Sequence, residues 1–276
     1  MNENVTNEDG PKSRNRIVAF VDILGASQAA LSQQPSALVG NIFRLGRAMQ
    51  WTHRVHSTSP DGGVTTQEFK PGVAQFSDCL LLWSDPLDGL EPEQFVGTAG
   101  SFLWNLCAEL GSLLLRGVPF RAGVSEGPVF IYPELNIFAG RPIVEAVKLE
   151  GAQDWLGAAM LFADRPDRLI QRPDQVYGVG ERSMFEHIVV PATPVPLKED
   201  ITTQLSGDAI LALNWALSAK ESQGPTYQAL KTKLQALQAN AGATAQRKYE
   251  LAVQFLATVE SISLGHPSDS AKVNGR

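Results

Sequence analysis

The sequence predicts an α+β fold built on a ferredoxin-like sheet. Three observations predict it. Short runs of β-branched and aromatic residues recur between residues 15 and 132, longer segments between them carry apolar residues at helical spacing, and the order is β-α-β-β-α-β with additions.

Taken in order, Ile17-Val18-Ala19-Phe20-Val21 reads as a buried strand running into Asp22. Val18, Phe20 and Asp22 share a face of it, because alternate strand residues point the same way. Helix-like sequence over 36–56 follows, then the break Ser59-Pro60-Asp61-Gly62-Gly63. Strands are expected over 65–84. They are punctuated by Lys70-Pro71-Gly72 and by a tight Ser77-Asp78 turn joining Val73-Ala74-Gln75-Phe76 to Cys79-Leu80-Leu81-Leu82-Trp83. A helix over 93–116 lines up Phe95, Phe102, Leu103, Leu106, Leu110, Leu113 and Leu114 on one face. Strands over 120–124 and 129–132 and a helix over 143–152 complete the order. His53 and His56 would share a helix face at a spacing able to ligate a metal, but no third ligand stands nearby and a solvated face is the plainer reading.

A carboxylate at the end of a buried strand is expensive to leave unpaired, so Asp22 calls for a metal ion or a cation. After it, Ile23-Leu24-Gly25-Ala26-Ser27 enters an expected helix whose first backbone N–H groups would cradle phosphate oxygens, which makes Gly25 a binding candidate. Asp78 sits at a hairpin tip that can hold its side chain over a neighbouring strand end. Either aspartate alone is an ordinary strand-end or turn residue. Together they would make a two-metal carboxylate site.

Further along, Pro119-Phe120-Arg121-Ala122-Gly123-Val124-Ser125-Glu126-Gly127-Pro128-Val129-Phe130 and Phe138-Ala139-Gly140-Arg141-Pro142-Ile143-Val144-Glu145-Ala146-Val147-Lys148-Leu149-Glu150 stand in the same order and at similar spacing as in class III nucleotidyl cyclases. Within that superfamily the sequence resembles the bacterial pyrimidine cyclases of the Pycsar antiphage systems. Their pattern V-D-I-L-G, F-S-D, R-G-G-I-S-x-G and G-x-x-x-x-E-A-x-x-L-E is matched at 21–25, 76–78, 121–127 and 140–150, with Ala122 in place of a glycine. The resemblance covers about residues 15–190. It implies a class III nucleotidyl cyclase homology domain there, between an N-terminal stretch 1–14 expected to be disordered and a helical extension 191–265, with a disordered tail 266–276.

Departures from the family bear on the substrate. Adenylyl cyclases carry a lysine four residues before the second aspartate to read adenine, and this chain has Ala74 there. The family's asparagine and arginine on the last core helix fall on Val144 and Lys148, so the asparagine is lost and the cation is a lysine without a bidentate fork. Arg121 is the candidate for the missing charge, with a surface arginine, or one paired with Glu126 or Glu145, as its plain structural alternative. Phe20, on Asp22's face, is a candidate to lie against the base or else a core residue. Gln67 and Phe69 are weaker base-reading candidates.

The resemblance implies in-line attack of the ribose 3′ oxygen on the α-phosphorus, with pyrophosphate leaving. Asp22, Asp78 and the backbone carbonyl of Ile23 would hold two divalent ions, Mn²⁺ or Mg²⁺, about 3.5–4 Å apart, and oxygen donors favour these over zinc. Arg121, Gly25 and Lys148 would meet the triphosphate. The expected substrate is UTP, giving 3′,5′-cyclic UMP as a second messenger read by a separate effector protein. The alternatives are cyclic CMP from CTP, an ordinary adenylate or guanylate cyclase, and a non-catalytic nucleotide-binding dimerisation module. The family also implies a homodimer whose subunits complete the sites across the interface.

Composition is compatible with this reading. A chain of 276 residues, 43% hydrophobic and 19% charged, can bury a full core. Its net charge of −6 speaks against a nucleic-acid surface. The apolar stretches fall far short of the roughly 20 residues of a membrane span. Cys79 and Cys107 both sit in apolar runs, so neither a disulfide framework nor a metal or nucleophilic role is expected, and a reducing cytoplasm fits. Beyond Pro191, Pro194 and Pro196, the segments 207–222, 225–239 and 243–264 read as helices packed on the core or on a partner subunit, with a sensor of infection as the alternative.

Overall fold

The computed structural model describes residues 11–25, 35–50, 53–58, 64–162, 188–190, 195–198, 209–216 and 225–264. The elements are β1 (Arg14–Ile23), α1 (Pro35–Met49), β2 (His53–Thr58), β3 (Val64–Phe69), β4 (Gly72–Phe76), β5 (Cys79–Trp83), α2 (Pro92–Leu115), β6 (Phe120–Tyr132), β7 (Ile137–Ala139), α3 (Arg141–Ala152), β8 (Gly157–Phe162), β9 (Val189–Val190), β10 (Ala209–Leu213), α4 (Pro225–Ala239) and α5 (Ala243–Leu264). It is a mixed α/β fold, with helices on a main sheet ordered β4-β5-β1-β6-β8-β10-β9; β7 pairs off β6, and β2 and β3 form a separate two-stranded sheet. The β6–β8 pairing is parallel and the others are antiparallel.

The alternation along β1 sorts the protein into layers. Ile17, Ala19, Val21 and Ile23 enter the large core with α1, α2, α4 and α5, through residues such as Leu45, Leu106, Leu230 and Phe255. Val18 and Phe20 face the other way, into a smaller cluster with Leu81, Trp83, Val129, Phe138 and Ile143 of α3. Asp22 continues that second face, as the strand period requires. α3 lies against it so closely that a Cβ at Gly123 would stand 2.0 Å from the Ala146 carbonyl oxygen. The small residue therefore admits another backbone.

Several elements differ from the sequence expectation. The helix foreseen over 36–56 ends at Met49, and His53 and His56 lie on β2, opposite Phe69 and Thr66. The helical spacing that would have let them share a face therefore does not apply. The strands foreseen over 120–124 and 129–132 are one, β6, which runs through Pro128. β8 flanks only Arg121–Val124, so Pro128 lies where β6 has an open side and its missing N–H costs no ladder bond there. Within 207–222, read as helix, Ala209–Leu213 is strand β10, paired to β8. That pairing lies beyond the expected 190/191 boundary, and α4 and α5 share the main core. The helix foreseen after Gly25, and the tails 1–10 and 265–276, fall outside the described residues.

Candidate active site

Asp22 is the penultimate residue of β1, and Asp78 is the second residue of the two-residue loop between β4 and β5. β1 pairs with β5 so that Asp22 faces Cys79. The Ile23 N–H donates to the Asp78 carbonyl at 3.3 Å, fastening the hairpin tip to the end of β1. As a result one carboxylate oxygen from each aspartate and the Cys79 sulfur lie within 4.8 Å of one another, all half-buried. Ser77 turns the loop at φ 55°, a left-handed conformation uncommon outside glycine.

Cys79, for which no metal or nucleophilic role is expected from sequence, stands beside both aspartates. Its Sγ lies 3.6 Å from Asp22 Oδ1 and 3.9 Å from Asp78 Oδ1. Burial, then the negative charges of Asp22 and Asp78, push its thiol up to about 12. The position was readable in principle, because the residue after a hairpin-tip aspartate is the first to pair with the neighbouring strand.

On its other side Asp22 faces Arg121 across the β1–β6 ladder. Arg121 Nη2 lies 3.3 Å from Asp22 Oδ2 and 2.7 Å from Glu150 Oε1, and Nη1 donates to the Gln153 carbonyl at 3.3 Å. These side chains are only 20% (Asp22), 13% (Arg121) and 9% (Glu150) exposed, so this is a desolvated ion-pair group rather than a weak surface bridge. The partners named from sequence are engaged elsewhere. Glu145 accepts from Ser125 Oγ at 2.8 Å and Arg141 Nε at 2.6 Å, and Glu126 accepts from Asn15 Nδ2 at 3.2 Å. Glu150 was visible in the sequence only as the end of a motif. Burial raises its carboxyl above the ordinary range, against the pull of Arg121. Lys248, on α5, reaches the same end of the sheet: burial, then the positive charges of Arg121 and Lys198, hold its ammonium below its usual value.

Asp22 and Asp78 converge on one point where, among the described residues, Arg121 is the one cation in direct contact, through Asp22, while Lys248 and Lys198 act on Glu150 from farther off. Hard oxygen donors converging from Asp22 and Asp78 suit Mg²⁺ or Mn²⁺, and the orphaned Nε of Arg121, buried with no hydrogen-bond partner among the described residues, offers a donor to an added acceptor.

The other candidates are dispersed. Phe20 is half-buried on Asp22's face. Gly25 follows at φ 76°, where a Cβ would meet nothing within 4 Å, so conformation rather than crowding favours glycine. Ile23 is buried, two residues before it. Lys148 is exposed on the outer side of α3 with Val144 and Val147, while Glu145, Leu149 and Glu150 are buried. Gln67 and Phe69 stand on β3, which is not hydrogen-bonded to the sheet carrying the aspartates.

No protein-family model matches the chain, and no curated protein sequence matches it. Among solved structures it is similar to a bacterial light-regulated adenylyl cyclase, at TM-score 0.43 and 16% identity over 83% of this chain and 59% of that one. It thus spans well under two thirds of that protein. It is also similar to the guanylyl cyclase Cya2, at TM-score 0.37 and 11% identity over 74% of this chain and 94% of that one. A class III adenylyl cyclase-like ATP-binding protein from Pseudomonas aeruginosa is similar at TM-score 0.36 and 15% identity, over 63% and 39% of the two chains. Likeness at this level does not extend to activity.

Proposed function

We propose that this protein is a metal-dependent nucleotide cyclase that converts UTP to 3′,5′-cyclic UMP and pyrophosphate. The observation that carries the reading is the convergence of Asp22 and Asp78 at one end of the sheet with Arg121 beside them, on the motifs that resemble pyrimidine cyclases. The 3′ oxygen would bond to the α-phosphorus as the α–β phosphoanhydride bond breaks and the hydroxyl proton is released to solvent. Two divalent ions held by Asp22, Asp78 and the Ile23 carbonyl would make the attacking hydroxyl more acidic and neutralise the triphosphate. Gly25 opens the turn that would seat phosphate oxygens. Arg121 supplies a planar donor fork to the charge that develops on phosphorus. Phe20 stands two residues from Asp22 on the same face, where a base would lie.

A homodimer is part of the proposal. Phe76, Val144 and Val147 are exposed on the side of the sheet that carries Asp22 and α3, at 45%, 53% and 40%, and an apolar surface of this kind favours self-association. Lys148 beside them would serve the facing subunit's substrate. The product would be read by a separate effector as a second messenger in antiphage defence.

The test is incubation of the purified protein with Mn²⁺ and each of UTP, CTP, ATP and GTP, with products identified by mass. Cyclic UMP as the dominant product is expected, with cyclic CMP second. A pocket that pairs with the edge groups of one base class can disfavour another by about 10⁴. Dominant cyclic AMP or cyclic GMP overturns the pyrimidine assignment, and no cyclic product from any triphosphate overturns the cyclase.

A further inference from the structure

We propose that Arg121 is a built-in counter-ion that a divalent metal must displace from Asp22, and that Glu150 is the positioning residue that retains the displaced guanidinium at the site. This rests on the metal-dependent reading above. The two oxygens of Asp22 are committed in different directions: Oδ1 faces Cys79, on the Asp78 side, and Oδ2 faces Arg121 Nη2 at 3.3 Å. A metal arriving between the aspartates meets Oδ1 at once, but it competes with the guanidinium for Oδ2 and for the charge of the whole carboxylate. A neighbouring cation opposes a second one by simple Coulomb repulsion, and more so where water is scarce.

Asp22 is not the only hold on Arg121. Glu150 Oε1 lies closer to Nη2, at 2.7 Å, as an ion-pair contact without hydrogen-bond alignment, and Nη1 is held separately by the Gln153 carbonyl. Both holding groups belong to α3 or the residue that ends it, and α3 is seated on β6 over Gly123. When Asp22 turns to a metal, the guanidinium remains on α3 with Nη2 relieved of one carboxylate. Nη2 is then newly available to an acceptor such as a phosphate oxygen, beside the Nε that has no partner among the described residues. The exchange would couple metal loading to the presentation of Arg121, so that the cation meant for substrate is withheld until the metal is in place.

The two partners of this ion pair should therefore change metal affinity in opposite directions. Mn²⁺ binding, with the metal alone and no nucleotide, is measured by electron paramagnetic resonance of the free ion. Arg121→Gln is expected to tighten binding by about tenfold, a modest part of what an adjacent unit charge exerts. Arg121→Lys keeps the charge and should stay near the wild type. Glu150→Gln leaves Asp22 as the only carboxylate partner of Arg121 and should weaken binding by a similar factor; Glu150→Asp should change it in the same direction by less. Damage to the fold would weaken binding in both Arg121→Gln and Glu150→Gln, so opposite signs cannot come from that source. Equal or weaker binding in Arg121→Gln, or equal or tighter binding in Glu150→Gln, overturns the exchange. If Asp22→Asn abolishes binding while those two variants bind like the wild type, only the exchange fails. If the wild type binds no Mn²⁺, or Asp22→Asn binds as well as it does, the metal-dependent reading fails and the exchange with it.

Discussion

Gly123 lies beneath the backbone of Glu150: a Cβ on Gly123 would stand 2.6 Å from the Glu150 nitrogen. α3 can rest on β6 only because no side chain intervenes, and that seat brings the Glu150 carboxylate down to Arg121, two residues earlier on the strand.

Gly123→Ala must therefore lift α3 or distort β6. Overpacking of this kind costs about 1–3 kcal/mol. Thermal melts should show Tm lowered by several degrees, at roughly 2–4 °C for each kcal/mol in a chain of this size. Gly151→Ala is the control on the same helix, since a Cβ there meets nothing within 4 Å and no loss is expected. Equal melting temperatures for Gly123→Ala and the wild type would contradict the close seating.

Asp22→Asn and Asp78→Asn preserve shape and remove the charge that would anchor a divalent ion. Each is expected to lower turnover by at least about 10²–10³, the scale for one preorganised electrostatic contact, with an unchanged circular dichroism spectrum. Near-normal turnover of either variant at saturating Mn²⁺ would rule out the carboxylate pair as the metal site.

For Arg121→Ala, a fall in turnover of roughly 10²–10³ is expected, and Arg121→Lys should restore part of it, because a lysine supplies charge without the planar fork. Steady-state kinetics with UTP decide this. Full activity in Arg121→Ala would confine the residue to its ion pairs and make Lys148 the next cation to test.

The raised Glu150 carboxyl predicts a pH dependence of stability. Burial is the main cause and Arg121 opposes it. A carboxyl raised in the folded state keeps its proton where the unfolded chain has released it. Its contribution is thus complete below the ordinary carboxylate value and is lost as pH rises through the folded value. Urea midpoints of the metal-free protein should therefore decline over that window, and Glu150→Gln should flatten the decline. An identical slope in both proteins would be inconsistent with the shift.

The sequence made β1 legible because a buried strand ending in a charge leaves little freedom: alternation alone puts Phe20 and Asp22 on one face. The β4–β5 hairpin was legible for a similar reason, with Ser77-Asp78 between two apolar runs. Local composition misled where pairing decided the outcome. His53–Thr58 continues a helix-like text but pairs with β3, and Ala-Ile-Leu-Ala-Leu at 209–213 suits a helix until β8 offers a free edge. The Arg121–Glu150 contact was hidden for another reason: it spans 29 positions and depends on the seat at Gly123, which no periodicity encodes. Cys79 reads as core from its apolar neighbourhood, whereas its strand partner is an aspartate.

Strand β10 also covers an edge that would otherwise be open. β8, Gly157–Phe162, contains no charge and no proline, and Ala158, Ala159, Met160 and Leu161 are buried. With β10 absent, one side of that ribbon would present a row of unanswered N–H and C=O groups flanked by apolar side chains, the kind of rim that recruits copies of itself. The segment that follows the aspartate-bearing strands thus acts as a stopper. A fragment ending at residue 198 is expected to precipitate through β8 before its chemistry can be assayed.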